Sequence, residues 1–82
     1  NIFLVQKDNI IQFYRGKKQP FQLEKTATPI QIDKLYSQPN DQYLYILDKT
    51  NARIIKLDFN GHIINQYYNH QIKEATAFAV DE

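Results

Sequence analysis

The sequence predicts an all-β fold built from antiparallel four-stranded sheets. Short apolar runs recur along the 82 residues between polar turn residues, and almost no helical periodicity is present. Tyrosine, phenylalanine and isoleucine, which favour strands, are abundant. The chain also repeats its own pattern, which indicates successive copies of one supersecondary unit.

Eight strands are predicted at regular spacing along the chain. They are Ile2–Val5, Ile10–Arg15, Pro20–Glu24, Pro29–Asp33, Gln42–Asp48, Arg53–Asp58, His62–Tyr68 and Thr76–Asp81. Runs of this length, separated by turn residues, are typical of all-β folds.

The turns between the strands have identifiable chemistry. Asp58–Gly61 ends in Asn-Gly, which tolerates the positive φ that tight hairpins need. Lys49–Ala52 connects the two preceding strands, with Asn51 as the expected left-handed residue, and Arg15–Lys17 plays the corresponding part earlier. Ser37–Asp41 contains a proline, which cannot donate to a ladder, and is predicted to be a loop.

Two copies of a unit align within the chain. The aligned pairs are 2–9 with 44–51, then, after a gap of two residues, 10–13 with 54–57, and further on 29–33 with 77–81. The last pair is offset by 48 residues, a usual size for one four-stranded repeat.

The same side of the pleat is apolar in both copies, because Ile11 and Phe13 align with Ile55 and Leu57. Later in the repeat, Ile30 and Ile32 align with Phe78 and Val80. The segment 43–47 is apolar on both sides, which predicts a central strand that is covered on both faces.

The stretch 45–61, YILDKTNARIIKLDFNG, resembles the NHL-type propeller repeat. That repeat has an apolar strand ending in Asp, then Asn, then Arg-Ile, then an Asp-x-x-Gly hairpin, and related TolB-like propellers share much of it. The resemblance implies antiparallel propeller blades with strands A to D. Residues 1–28 would form a partial blade with strands B, C and D, residues 29–75 a full blade, and residues 76–82 the first strand of the next blade.

The resemblance also implies roles for the turn residues. Asp48 and Asn51 would fix their turn through side-chain hydrogen bonds to the backbone, and Arg53 would contact a neighbouring blade. In the first copy Gln6 replaces the Asp and the gap removes the Arg, so a shorter turn with weaker contacts is expected. The residues assigned to structural turns are Asp48, Asn51, Arg53, Asp58, Asn60 and Gly61.

An incomplete first blade and a last strand without partners imply that neighbouring blades supply what is missing. They would come from adjoining sequence or from other copies of the chain, of which about three or four would close a ring of roughly six or eight blades. The start at Asn1, without methionine, predicts a trimmed chain or an excerpt of a longer protein.

No catalytic, cofactor-binding or metal-binding site is predicted. His62 and His70 show no ligand spacing and are interpreted as surface residues. Glu74, near an inner strand, stands without a second ligand. The aspartates at strand ends are interpreted as turn-forming residues rather than acid–base pairs, and these are Asp33, Asp48, Asp58 and Asp81.

The charge balance argues against nucleic acid as a partner. Ten basic and nine acidic side chains give a formal net charge of +1, without the basic surplus that phosphate binding requires. No apolar run approaches the roughly 20 residues of a membrane span, and the absence of cysteine excludes thiol chemistry. Basic and aromatic residues are predicted as candidate surface contacts, although they are more typical of a solvated surface: Arg15, Lys17, Lys18, Tyr67 and Tyr68.

The function favoured by this reading is a non-catalytic interaction scaffold for a protein or another ligand, with a protein or further blades as partner. One alternative is a fragment of a hydrolase-like or lactonase-like propeller enzyme whose catalytic residues lie elsewhere. The other is a small nucleic-acid-binding β-barrel, against which the charge balance counts.

Overall fold

Two antiparallel sheets make up the computed structural model, which describes residues 2–37 and 42–76. The first sheet contains β1 (Ile2–Gln6), β2 (Asn9–Tyr14) and β3 (Lys17–Gln19) in that order. The second sheet contains β4 (Lys34–Ser37), β5 (Tyr43–Asp48), β6 (Arg53–Asp58) and β7 (Ile63–Tyr68) in that order. A 3₁₀ helix, His70–Glu74, follows β7.

The prediction of an all-β fold is confirmed, and each sheet is a meander in which consecutive strands pair. The segment expected to be a central strand is β5, which pairs with β4 on one side and β6 on the other. Its side chains from Leu44 to Asp48 are buried, as expected for a strand covered on both faces. Within the described residues neither sheet closes into a barrel.

The two copies differ in the turn between their equivalent strands. Lys7 and Asp8 connect β1 to β2, whereas residues 49–52 connect β5 to β6, so the first turn is the shorter one, as predicted. The left-handed residue of the longer turn is Ala52, with φ 53°, and the assignment to Asn51 is wrong. The reason is that the Ala52 amide closes the turn on the Lys49 carbonyl at 3.1 Å, while Asn51 binds the Asp48 carboxylate.

The strand predicted at Pro20–Glu24 is not formed. The strand at this point is β3, which ends one residue before Pro20, because proline has no amide hydrogen to continue the ladder. The following residues bind the second sheet instead. The Glu24 amide donates to the Gly61 carbonyl at 2.9 Å, and the Gln22 amide donates to the Asn60 carbonyl at 3.5 Å.

No strand forms at Pro29–Asp33, and the first strand of the second sheet, β4, begins at Lys34, directly after the predicted segment. The Asp33 amide does reach the Leu47 carbonyl at 2.9 Å, but the Gln31 amide donates to the Asp48 carboxylate at 3.3 Å. A side-chain acceptor therefore replaces the backbone acceptor that a strand would use. The proposed last strand, Thr76–Asp81, and the loop Ser37–Asp41 lie largely outside the described residues.

The core lies between the two sheets. Leu44 pairs with Leu57 and Ile46 with Ile55, which puts these four side chains on one face of the second sheet. All four are fully buried, and Ile10 of the first sheet, 1% exposed, packs into the same cluster. Burying a side chain of this size is worth about 1.5–3 kcal/mol, so this cluster contributes to the attachment of one sheet to the other.

Candidate interaction surface

A buried ion pair occupies the end of the second sheet. Asp48 ends β5 and Arg53 begins β6, and the hairpin register places them directly opposite each other. The Arg53 Nε donates to Asp48 Oδ2 at 2.8 Å, and the two side chains are 2% and 0% exposed. A pair at this depth is stable only if its remaining donors and acceptors are satisfied.

The guanidinium of Arg53 also binds groups outside its hairpin. One terminal nitrogen donates to the Gln66 side chain at 3.1 Å, and the other donates to the Thr28 carbonyl at 2.9 Å and the Pro29 carbonyl at 3.3 Å. Thr26 lies at the edge of this network, with its hydroxyl 3.4 Å from Arg53. Residues 20–33 form the connection between the two sheets. Arg53 therefore binds this connection to the second sheet.

The Asp48 carboxylate organises the adjoining turn. It accepts a hydrogen bond from the Asn51 amide at 3.2 Å and another from the Asn51 side chain at 2.9 Å. The Asn51 side chain also donates to the Pro29 carbonyl at 3.1 Å. Asp33 acts similarly, since its carboxylate accepts from the Lys49 amide at 2.8 Å.

The turn between β6 and β7 is organised by Asp58. Its carboxylate accepts the amides of Asn60 and His62, both at 2.9 Å, and lies 3.2 Å from the His62 ring nitrogen. Partial burial raises the pKa of Asp58, but the hydrogen bonds from the His62 and Asn60 amides and the contact with the His62 ring outweigh that effect. The pKa of Asp58 therefore lies below its ordinary value, because these donors favour the charged form.

We expect Asp58 to contribute pH-dependent stability. Its folded pKa is lower than the unfolded value of about 3.9, so the contribution is complete above that pH and is lost as the pH falls through the folded pKa. Urea unfolding of the wild type and Asp58→Asn from acid to neutral pH should show a difference below about 1 kcal/mol at neutral pH that shrinks in acid. A difference that stays constant in acid would contradict the assignment.

The predicted surface contacts lie on different sheets. Arg15, Lys17 and Lys18 are exposed at the hairpin of β2 and β3, where the Arg15 guanidinium lies 5.2 Å from the ring centre of Tyr14. Tyr67 and Tyr68 are exposed on β7 of the second sheet. The basic residues and the two tyrosines therefore do not form one patch on a single strand or hairpin.

The first sheet has an apolar face turned away from the second sheet. The strand register puts Ile2 opposite Phe13 and Leu4 opposite Ile11, so these four side chains share one side of the sheet. Ile2 is 62% exposed and Leu4 is 51% exposed, while Ile11 and Phe13 are half-buried. We call these four residues the open face.

The internal repeat gives the open face a counterpart of known environment. Its members align one for one with the fully buried core residues of the second sheet, namely Leu44, Ile46, Ile55 and Leu57. In the second sheet this face is covered by the first sheet, which contributes Ile10 and Phe3. The two faces carry the same kind of side chain, and only one of them is covered. The alignment of Ile11 and Phe13 with Ile55 and Leu57 already indicates a repeated apolar face in the sequence. It does not indicate that this face is exposed in the first sheet.

Shallow clefts are also present among the described residues. The cleft of about 360 Å³ beside the β1–β2 turn is lined by side chains of mixed chemistry: Asp8, Asn9, Leu23, Glu24, Lys25, Thr26, Pro29 and Ile30. Across residues 2–37 and 42–76, no three histidine or acidic side chains come together as a set of metal ligands. His62 and His70 are exposed.

Comparison of the chain with models of protein families, with curated proteins and with solved structures gives no match. The NHL-type resemblance therefore remains a prediction from the motif. The helical part of the described structure includes no segment with the length and apolar character of a membrane span.

Proposed function

We propose that this chain is a non-catalytic interaction module made of two successive propeller blades, and that its open face binds a protein partner. The observation that carries the proposal is the exposure of Ile2 and Leu4 beside Ile11 and Phe13, in positions whose counterparts are fully buried in the second sheet. Contiguous apolar surface of this kind marks protein interaction sites in soluble proteins.

The character of the open face favours a protein partner over a small ligand. Its four members lie on two adjacent strands of a sheet, which makes a broad surface rather than a concave pocket. Lys18, paired with Phe13, supplies a charged rim on the same side. An apolar centre with a polar rim is the usual composition of a protein interface.

The meander order supports the blade assignment. The first sheet supplies three consecutive strands and the second supplies four, which are the numbers expected for a partial and a full blade, with β3 and β4 beside the predicted segments 20–24 and 29–33. The polar network of Arg53 and Asp48 holds the connection between the sheets, which fits a unit whose neighbouring sheets keep a constant relation. This network serves architecture, and the open face serves binding.

The proposal can be tested by thiol labelling, because the chain has no cysteine and one introduced thiol is then the only one. Leu4→Cys puts that thiol on the open face. Tyr14→Cys puts it on the opposite face of the same sheet, at a residue of similar exposure, 46% against 51% for Leu4.

In the native protein, within the cells that produce it, we expect maleimide to label Leu4→Cys at least about tenfold more slowly than Tyr14→Cys, because a buried thiol is poorly accessible. The two should label equally after denaturation. Equal labelling in the native protein would overturn the proposal, since it would mean that nothing covers the open face.

A further inference from the structure

The second sheet has a face on the side opposite the core and the first sheet. Its side chains point away from the first sheet, because they alternate with the core residues along β5 and β6. The strand register also pairs Leu47 with Ile54 and Ile54 with Tyr67, so these side chains share one side of the sheet. We call this the distal face, and it consists of Tyr45, Leu47, Ile54, Lys56 and Tyr67.

The repeat relates the distal face to the side of the first sheet that covers the core. Tyr45 and Leu47 align with Phe3 and Val5, and Ile54 aligns with Ile10. Ile10 is the residue of the first sheet that enters the core cluster and is 1% exposed, whereas Ile54 is half-buried. Ile54 on the distal face is therefore the counterpart of Ile10. Ile10 packs on the core face of the second sheet, and the open face is the counterpart of that core face.

Part of the distal face is already covered within the chain, and part is accessible. Leu47 is fully buried and Tyr45 is 4% exposed, on the strand beside which the 3₁₀ helix lies. Tyr67, directly opposite Ile54 on the neighbouring strand, is 48% exposed. Lys56 lies with its ammonium 4.1 Å from the ring centre of Tyr43, which holds this charge against the sheet. The accessible part is thus centred on Ile54 and Tyr67.

We propose that the open face binds the distal face of a second copy of this chain. This inference rests on the proposed function and names the partner. The existing interface between the two sheets is its template: Ile54 of the second copy enters the cluster of Ile2, Leu4, Ile11 and Phe13, as Ile10 enters the cluster of Leu44, Ile46, Ile55 and Leu57.

This contact joins two different surfaces. After two copies have paired, one copy keeps a free distal face and the other keeps a free open face. Such head-to-tail contacts form a ring when the rotation between copies closes, and an open filament when it does not. A ring of about three or four copies would hold roughly six or eight sheets, within the usual range for propellers.

The test uses two variants that each block one surface. Leu4→Lys places a charge on the open face, and Tyr67→Lys places one on the distal face. Both residues are about half exposed, so neither change should unfold the chain, and circular dichroism checks this. The matched controls are Tyr14→Lys and Tyr68→Lys, which change exposed tyrosines on the opposite sides of the same two sheets.

Sedimentation equilibrium should show a wild-type oligomer. Each blocking variant should raise the dissociation constant at least about 30-fold, while the controls should leave it near the wild-type value. An equimolar mixture of Leu4→Lys and Tyr67→Lys should form a heterodimer, because one intact open face and one intact distal face remain. Neither variant should associate with itself.

Three results would overturn the inference. A wild-type chain that stays monomeric at every accessible concentration would exclude a second copy as the partner, while protection of Leu4→Cys in the native protein would leave the proposed function standing. Self-association of Tyr67→Lys that Leu4→Lys lacks would mean that open faces pair with each other. Loss of both the oligomer and the protection would remove the proposed function as well.

Discussion

Replacing Gly61 with alanine should lower the free energy of unfolding by about 3 kcal/mol or more, as the sum of backbone strain and overpacking. The residue has φ 95°, where a side chain is strained, and it is buried beneath the connection between the sheets. A Cβ atom there would overlap the carbonyl oxygen of Gln22 and lie 2.6 Å from the carbonyl carbon. A chain of this size has only about 4–12 kcal/mol of total stability.

The neighbouring backbone cannot relieve this overlap without losing hydrogen bonds. The Glu24 amide is held by the Gly61 carbonyl at 2.9 Å, and the Glu24 side chain accepts the Ile63 amide at 2.9 Å. Moving residues 22–24 away would also withdraw Leu23, which packs on the core cluster. The substitution should therefore loosen the connection between the sheets as well as the turn.

Gly16→Ala is the matched control for this prediction. Gly16 also lies in a hairpin turn at positive φ, 78°, but nothing lies within 4 Å of the position its Cβ would take. We expect this variant to lose only the backbone strain contribution, about 1–2 kcal/mol. Urea unfolding of both variants measures the comparison, and equal losses would show that the contact with Gln22 does not constrain Gly61.

Arg53→Met should cost about 3–5 kcal/mol, because it leaves the buried Asp48 carboxylate without its cation. The same change removes the donors that bind the Thr28 and Pro29 carbonyls. Arg53→Lys should fall between the wild type and Arg53→Met, since one ammonium group cannot reproduce the fork that reaches Asp48, Gln66 and Thr28 at once.

A double-mutant cycle separates the ion pair from the other contacts. Asp48→Asn combined with Arg53→Met leaves no buried unpaired charge, so its cost should be clearly smaller than the sum of the two single changes. Arg15→Met serves as the control, because Arg15 is exposed in a hairpin tip and should change stability by less than about 0.5 kcal/mol. Additive costs for Asp48→Asn and Arg53→Met would contradict the assignment of a coupled pair.

The sequence predicted the hairpins well because they depend on neighbouring residues. The alternation of apolar side chains and the turn chemistry at 58–61 place β5, β6 and β7 within one residue of their observed bounds. The prediction was poorest at residues 20–33. An apolar alternation is present there, but Pro20 ends the ladder, and the hydrogen-bond partners of this segment lie in the other sheet.

The contacts of Arg53 also show that a local sequence pattern predicts neighbouring partners and not distant ones. The pairing of Asp48 with Arg53 follows from a hairpin register that the sequence specifies. The remaining partners of Arg53, namely Thr26, Thr28, Pro29 and Gln66, are 13 to 27 residues away along the chain. No local pattern marks them, because each is a common residue that meets Arg53 only once the sheets are assembled.

By itself the sequence determined the strand alternation, the hairpin turns and the repetition of one apolar face, since these follow from the two-residue period of a strand and from the conformational preferences of single residues. Only the tertiary structure decided which copy of that face is covered. Ile2 and Leu4 match Leu44 and Ile46 in kind, yet the first pair is exposed and the second is fully buried. Burial depends on what packs across a face, and that is a property of distant residues rather than of the strand that carries it.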